Sequence, residues 1–335
     1  MKTMFGKCVM KSIFKGKISA AILSITILST IMISCESSTE PGTVPNEVEA
    51  YQKIISTAVH SNAVGFASVF DSMFVDADSR QEFLRAFINF NRYLPDSSGY
   101  FFVNNYQGID IAHGTMLSLQ GQDRYNVQDI NGKYYVHDIL SNAKNGIKEF
   151  VSYYFNNPTT GNVEQKYTYA EGVGSYDYAL CSGFYLAKEE AYVDPLDINK
   201  RVVEATVGTF VYGASKIFEK FITNRGDQIK FFRKFVDRIR YFPDSTGYFY
   251  IIDMNGIMIA NAANKSLNST NQYDLQDTKG QFVVHNMINM ANTTGGGFID
   301  YYWDNPATNQ NELKKGYIER VKGTNYIIGS GVYLN

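Results

Sequence analysis

Apolar residues recur at helical spacing over residues 47–75, at Ile54, Ile55, Ala58, Val59, Ala63, Phe66, Val69, Phe70, Met73 and Phe74. The three-and-four spacing predicts a long amphipathic helix. The same pattern returns over 199–222, with Val202, Val203, Val207, Phe210, Val211, Ala214, Ile217, Phe218 and Phe221. A shorter helical pattern follows each, at 81–91 and 228–239. Pro95 and Pro243 are expected to stop these, because proline disfavours helical geometry in the residue before it. The pattern then changes to strands. Residues 100–103 and 248–252 are aromatic and β-branched, as a pleated surface prefers. Gln107-Gly108 and Asn255-Gly256 turn them into second strands at 109–112 and 257–260, each pair reading as a hairpin. A third helix is predicted at 134–143 and 282–291. Three further strands follow, at 146–155, 166–171 and 178–186, with counterparts at 297–303, 314–321 and 326–334.

Each element has a twin 148 positions on: Arg92 falls on Arg240, Asp129 on Asp277, Lys166 on Lys314, Tyr185 on Tyr333. The alignment needs no gap from about residue 82 to 187. A period of this size means two copies of one domain and not a solenoid. The order helix, helix, β, β, helix, β, β, β predicts an α+β domain with a five-stranded, largely antiparallel sheet. The boundaries read as 49–187 and 199–335, joined by a linker at 188–198 that contains Asp194-Pro195. On this reading each copy is expected to fold alone.

The first 34 residues change the picture of compartment. Five lysines and no acid precede an apolar run at 18–34, and Cys35 follows. Such a pattern is a secretory signal. Met32-Ile33-Ser34-Cys35 resembles a bacterial lipobox, with Cys35 as the lipidated first residue and Met32 where Leu is usual. Residues 35–48 are polar, hold two prolines and read as a tether. An uncleaved membrane anchor is the other reading of this segment. Without the leader lysines, 26 basic residues stand against 33 acidic ones. That balance argues against nucleic acid or an anionic surface as partner. Membrane association is then expected through the lipid, in the periplasm or at the outer membrane. Cys181, opposite Gly329, is expected to be buried and inert, and no disulfide framework is available.

The repeated motifs are Gly-Tyr-Phe-Phe/Tyr with a Gly turn, Gln-Asp-x-x-Gly, Phe-x-x-Tyr-x-Phe/Trp-x-Asn-Pro, Lys-x-x-Tyr and Ser-Gly-x-Tyr-Leu. In this order each copy resembles a Cache domain, the PAS-like extracellular sensor module of bacterial receptors. The resemblance implies a pocket for a small polar ligand, often an organic acid, between sheet and helices. It implies no catalysis and no cofactor. Alternation along strands puts Tyr100 with Phe102, Tyr153 with Phe155, Tyr248 with Tyr250, and Tyr301 with Trp303. Aromatic walls with few polar tips suit a small-molecule site. Lys166 and Lys314 are candidate counter-charges for a carboxylate, with Tyr169 and Tyr317 as hydroxyl donors. His113 stands where the family often lines its pocket with a histidine, and Asn261 replaces it in the second copy. Arg92 and Arg240 point at the pocket or cap the preceding helix. For each tyrosine and lysine the alternative is a core or solvated position.

Four scattered histidines make no zinc set, and no Gly-Lys-Ser/Thr follows Gly295-Gly296-Gly297 as a phosphate loop would require. The chain ends directly after the last strand, so a signal would need a separate receptor or kinase. A solute-capturing lipoprotein for a transporter and a structural lipoprotein with vestigial pockets remain alternatives.

Overall fold

The computed structural model describes residues 46–185 and 192–334. The first copy runs α1 (Glu47–Phe70), α2 (Ala77–Ile88), β1 (Arg92–Tyr93), β2 (Gly99–Asn104), β3 (Asp110–His113), a short turn of 3-10 helix, α3 (Tyr135–Asn145), β4 (Val151–Asn156), β5 (Val163–Gly172) and β6 (Ala179–Tyr185). The second runs α4 (Pro195–Lys220), α5 (Arg225–Val236), β7 (Tyr250–Asp253), β8 (Met258–Asn261), another 3-10 turn, α6 (Val283–Thr293), β9 (Gly296–Asp304), β10 (Asn311–Arg320) and β11 (Tyr326–Tyr333). Both sheets are antiparallel with one order, β3-β2-β6-β5-β4 and β8-β7-β11-β10-β9. The expected α+β fold is present. The first sheet gains a sixth strand, because β1 pairs two residues with the start of β2.

Two boundaries differ from expectation. Pro95 and Pro243 do not stop the helices: α2 ends at Ile88 and α5 at Val236. The chain leaves α2 through Phe90 and Leu94, both with φ near +70°, a left-handed geometry that ends a helix unaided. Asp194-Pro195 is not a linker but the start of α4. The Asp194 carboxylate accepts from the Leu196 amide at 2.8 Å, and proline suits the first helical position because its missing N–H would have no partner there.

In each copy the long helix covers one face of the sheet, α1 on β5 and β6 and α4 on β10 and β11. The third helix covers the other face, and the candidate pockets lie on that side. The two long helices also pack on each other, and one core cluster runs through both copies. Phe87 and Phe235 stack with centroids 5.8 Å apart. Gly213 on α4 receives Phe87, since a Cβ there would stand 2.3 Å from its ring, and Gly65 on α1 receives Phe235 at 2.5 Å. These two contacts are each other's 148-residue counterparts. The junction is therefore isologous, like the interface of a two-fold dimer. Polar contacts close it: Asn91 donates to the Thr209 carbonyl at 2.9 Å, Tyr212 to the Asn89 carbonyl at 2.9 Å, and Arg201 pairs with Glu47 at 2.8 Å. Among the described residues no helix is long and apolar enough to cross a membrane.

Two candidate ligand pockets

Strand register builds the first pocket around Lys166. On β5, Lys166 stands opposite Tyr153 of β4 and Tyr185 of β6. Two rows on, Ala170 aligns with Cys181, then Phe102 of β2 and His113 of β3. Side chains at every second position share a face, so these residues look toward α3. Gly183 and Gly331 make room for the lysine stems. A Cβ would meet the Cε of Lys166 at 3.0 Å and that of Lys314 at 2.8 Å.

Lys166 is 1 % exposed. Its ammonium lies 3.9 Å from the Tyr100 ring centroid, and 5.2 Å, 5.4 Å and 5.4 Å from those of Phe102, Phe155 and Tyr185. It donates to the Tyr100 hydroxyl at 2.7 Å. Burial lowers its pKa to about 7. Lys314 is fully buried, 3.9 Å from the Tyr248 centroid and 4.7 Å from that of Tyr333. Its ammonium meets no hydrogen-bond acceptor in good geometry among the described residues, and burial lowers its pKa against the opposing influence of Tyr248. Among the described residues neither lysine pairs with a carboxylate. Buried cations are normally paired, because desolvation otherwise costs several kcal/mol. Aromatic faces offset only part of that.

The first cavity, of about 20 Å³, is lined by Tyr100, Phe102, Tyr153, Phe155, His113 and Lys166, together with Asn104, Asp110, Leu119, Arg124, Tyr135 and Val136. His113 Nδ1 accepts from the backbone amides of Thr115 and Met116, at 3.3 and 2.9 Å. That fixes the tautomer and leaves Nε2–H as a donor. Burial, then Lys166 and Arg124, lower its pKa to about 3, so the ring is neutral at physiological pH. Arg124 donates to the Tyr135 hydroxyl at 3.2 Å. Asp110 is 2 % exposed, its Oδ1 has no hydrogen-bond partner among the described residues, and burial raises its pKa to about 7 against the opposing pull of Arg124 and Arg85.

The second cavity, of about 10 Å³, is lined by Tyr248, Tyr250, Ile252, Met258, Asn261, Val283, Val284, Met287, Tyr301 and Trp303. It adjoins a wider, polar groove of about 550 Å³ that shares Tyr248, Asn261 and Trp303. Asn261 repeats the turn made by His113: its Oδ1 accepts from the amides of Ala263 and Asn264 at 3.0 and 2.8 Å.

Five expected residues lie outside the cavity linings; one of them, Lys314, stands directly behind Tyr248. Tyr169 and Tyr317 sit three positions after the lysines, an odd step that turns a strand side chain to the other face. Their hydroxyls donate to Glu171 and Glu319, at 3.3 and 3.4 Å, under the long helices. Arg92 is exposed and donates to the Ser97 carbonyl at 2.7 Å. Arg240 donates to the carbonyls of Ile239, at 2.7 Å, and Ala262. Cys35 and the leader lie outside the described residues. Cys181 is buried, and burial raises its thiol pKa. Sequence reasoning missed Asp110, Arg124 and Tyr135. The signal available was their replacement by Met258, Gln272 and Val283, polar positions of one copy that the other fills with apolar or neutral residues.

Two motifs turn out to be turn locks. Asp129 accepts from the amides of Asn131, Lys133 and Tyr154, and Asp277 from those of Lys279, Gln281 and Tyr302. They pin the loop before the third helix onto the neighbouring strand. Asn157 and Asn305 lock the β4–β5 and β9–β10 turns through Glu164 and Glu312.

The family model described as single Cache domain 2 matches residues 49–194 and again 197–335. The chain is 33% identical over 100 residues to the methyl-accepting chemotaxis protein McpP of Pseudomonas putida, covering 30% of this chain and 18% of that protein. It is 32% identical over 89 residues to the sensor histidine kinase MctS of Rhizobium johnstonii, covering 27% of this chain and 19% of that one. The match thus spans under a fifth of either relative. Among solved structures, a methyl-accepting chemotaxis protein of Vibrio parahaemolyticus matches at 25% identity over 41% of this chain and 90% of that chain, with a TM-score of 0.35.

Proposed function

Because the chain belongs to the single Cache domain 2 family over both copies, a family of extracellular ligand-sensing domains, we propose that it is an exported sensor whose pockets take a small carboxylate. The observation that carries this is the pair of buried ammonium groups without an anion, Lys166 in the lining of the first aromatic pocket and Lys314 packed on the ring of Tyr248, which lines the second. A ligand carboxylate supplies the missing charge, and the His113 Nε2–H adds a neutral donor in the first copy. Cavities of about 20 and 10 Å³ hold about one water. The ligand must therefore be small, and the pocket must widen to admit it. Nothing in this scheme calls for catalysis; the protein acts by binding and passes its signal to a receptor or kinase partner. Lipid on Cys35 holds it at the membrane. Cys35→Ala is expected to leave the membrane fraction, and unchanged retention with normal maturation would remove the anchor.

The test is calorimetric titration of wild type, Lys166→Met and Lys314→Met with short carboxylates. A charge-assisted contact contributes about 1.5–3 kcal/mol. Each substitution should therefore weaken its own site by roughly one to two orders of magnitude. If neither weakens any acid by threefold, the lysines do not read a carboxylate.

A further inference from the structure

Lys166 lines the first pocket and Lys314 lies behind Tyr248, which lines the second, and the walls of the two pockets differ. In the first, Asp110 is 2 % exposed, lines the cavity and leaves Oδ1 unpartnered. Of the other polar groups around that cavity, Lys166, Arg124 and the Nε2–H of His113 are donors only, while Asn104 and the tyrosine hydroxyls can also accept, which leaves Asp110 as the one carboxylate in the lining. An ionised carboxylate only accepts hydrogen bonds. A plain ligand carboxylate would satisfy the donors but, wherever Asp110 is ionised, leave it unmet and repel it. A ligand with its own hydrogen-bond donor answers both. In the second pocket Met258 replaces Asp110, and Ile252, Val283, Val284 and Met287 complete the wall. A donor substituent turned toward that apolar wall would find no carboxylate, and the Asn261 oxygen elsewhere in the lining already accepts two backbone amides, which disfavours binding.

We propose that the first pocket takes a small carboxylate carrying a hydroxyl or ammonium group that donates to Asp110, and that the second takes an unsubstituted short aliphatic carboxylate. This rests on the carboxylate reading of the lysines and adds to it a division of labour between the copies. A site built to hydrogen-bond a substituent rejects the analogue that lacks it far more strongly than an apolar pocket separates homologues by size.

The probes are three acids of equal carbon count: propionate, 2-hydroxypropionate and alanine. They are titrated calorimetrically into the full chain, and Lys166→Met and Lys314→Met assign each binding event to a pocket. Trp303, the single tryptophan, lines the second cavity and reports on it by fluorescence. At the Lys166-dependent site, 2-hydroxypropionate or alanine should bind at least tenfold more tightly than propionate. Which of the two wins says whether the donor is a hydroxyl or an ammonium. Propionate should bind the Lys314-dependent site and shift Trp303 emission. Asp110→Met, which installs the residue of the second copy, should erase the preference. Should that variant not fold, Met258→Asp should bring 2-hydroxypropionate or alanine to the second pocket, seen at Trp303. The proposal is overturned by equal affinities at the Lys166-dependent site, or by a preference that survives Asp110→Met, while lysine-dependent binding of some acid leaves the carboxylate reading standing. Absence of lysine-dependent binding by any of the three overturns both.

Discussion

The two pockets were built from one plan and then diverged in pairs. Where the first copy has Phe102, Cys181 and Thr168, the second has Tyr250, Gly329 and Gly316. These changes compensate. A Cβ at position 329 would stand 2.4 Å from the Tyr250 ring, so the tyrosine needs the glycine. Tyr153 shares a hydrogen bond with the Thr168 hydroxyl at 3.0 Å; Tyr301, facing Gly316, donates to Tyr250 at 3.2 Å. In both copies the inner tyrosine keeps its hydroxyl satisfied. The lysine, its glycine niche and its tyrosines persist unchanged. What is not compensated is the polar wall: Asp110 and Tyr135 give way to the apolar Met258 and Val283, and the charged Arg124 to the neutral Gln272. Packing constrains the frame through pairs, while the wall is free to set what each pocket accepts.

The halves are expected to be separable in ligand preference yet inseparable in stability, and the largest effect should come from their junction. Phe87 and Phe235 are fully buried and each fills a glycine socket on the opposite copy. Truncating either to alanine should cost about 3–5 kcal/mol, and both pockets should be lost together in one calorimetric transition. The same geometry argues that residues 47–190 alone, expected from sequence to fold independently, would expose Phe66, Phe83 and Phe87 to water. Two resolved transitions, with the mutation shifting only one, would break the picture of a shared core.

The lysines offer a smaller, signed effect. Lys166 has a pKa of about 7 in the fold and the ordinary value of about 10.4 unfolded. Between those values the unfolded chain holds more protons, so stability should rise with pH across that window, by up to about 1.4 kcal/mol per unit. Below pH 7 the lysine is charged in both states and the trend stops. Lys166→Met should flatten the rise, measurable as urea midpoints between pH 7 and 9.5. Bound carboxylate favours the charged lysine, so affinity at this pocket should fall as pH climbs above about 7. A rise of equal slope in the Met variant would show that other groups set it.

Much of this was legible in the chain. The 148-residue repeat, the helix periodicity and the aromatic strands gave the element order and placed Tyr100, Phe102, His113, Tyr153, Phe155 and Lys166 around one cavity. Parity explains one failure: Lys166 and Tyr169 are close in sequence but three apart on a strand. Distance in the chain explains another. Asp110 and Arg124 meet the pocket only because β3 and the loop after it fold over the sheet. The shared core was hidden for a different reason. Apolar residues on α1, α2, α4 and α5 announce burial, but their periodicity does not say against which partner. Gly65 and Gly213 are the trace of that partner, since a glycine inside a long helix is otherwise unfavourable.

The misplaced tyrosines supply the smallest test of how the halves differ. Tyr169 and Tyr317 occupy equivalent places behind the sheets and donate to Glu171 and Glu319. In the first copy His60 also holds Glu171, with Nδ1 2.8 Å from the carboxylate. Position 208 of the second copy is glycine, so Glu319 lacks that partner. Burial raises its pKa, with Glu204 adding to the shift and the Tyr317 hydroxyl opposing it. Removing the Tyr169 hydroxyl therefore leaves an acid still paired, whereas removing that of Tyr317 strips a half-buried acid of its one side-chain donor among the described residues. Tyr317→Phe should cost about 1 kcal/mol, and Tyr169→Phe less than half of that. Neither should change carboxylate affinity by as much as twofold, because both hydroxyls lie across the sheet from the lysines. Equal losses of stability would mean that His60 does not support Glu171, and a tenfold loss of binding in either variant would return these tyrosines to the ligand.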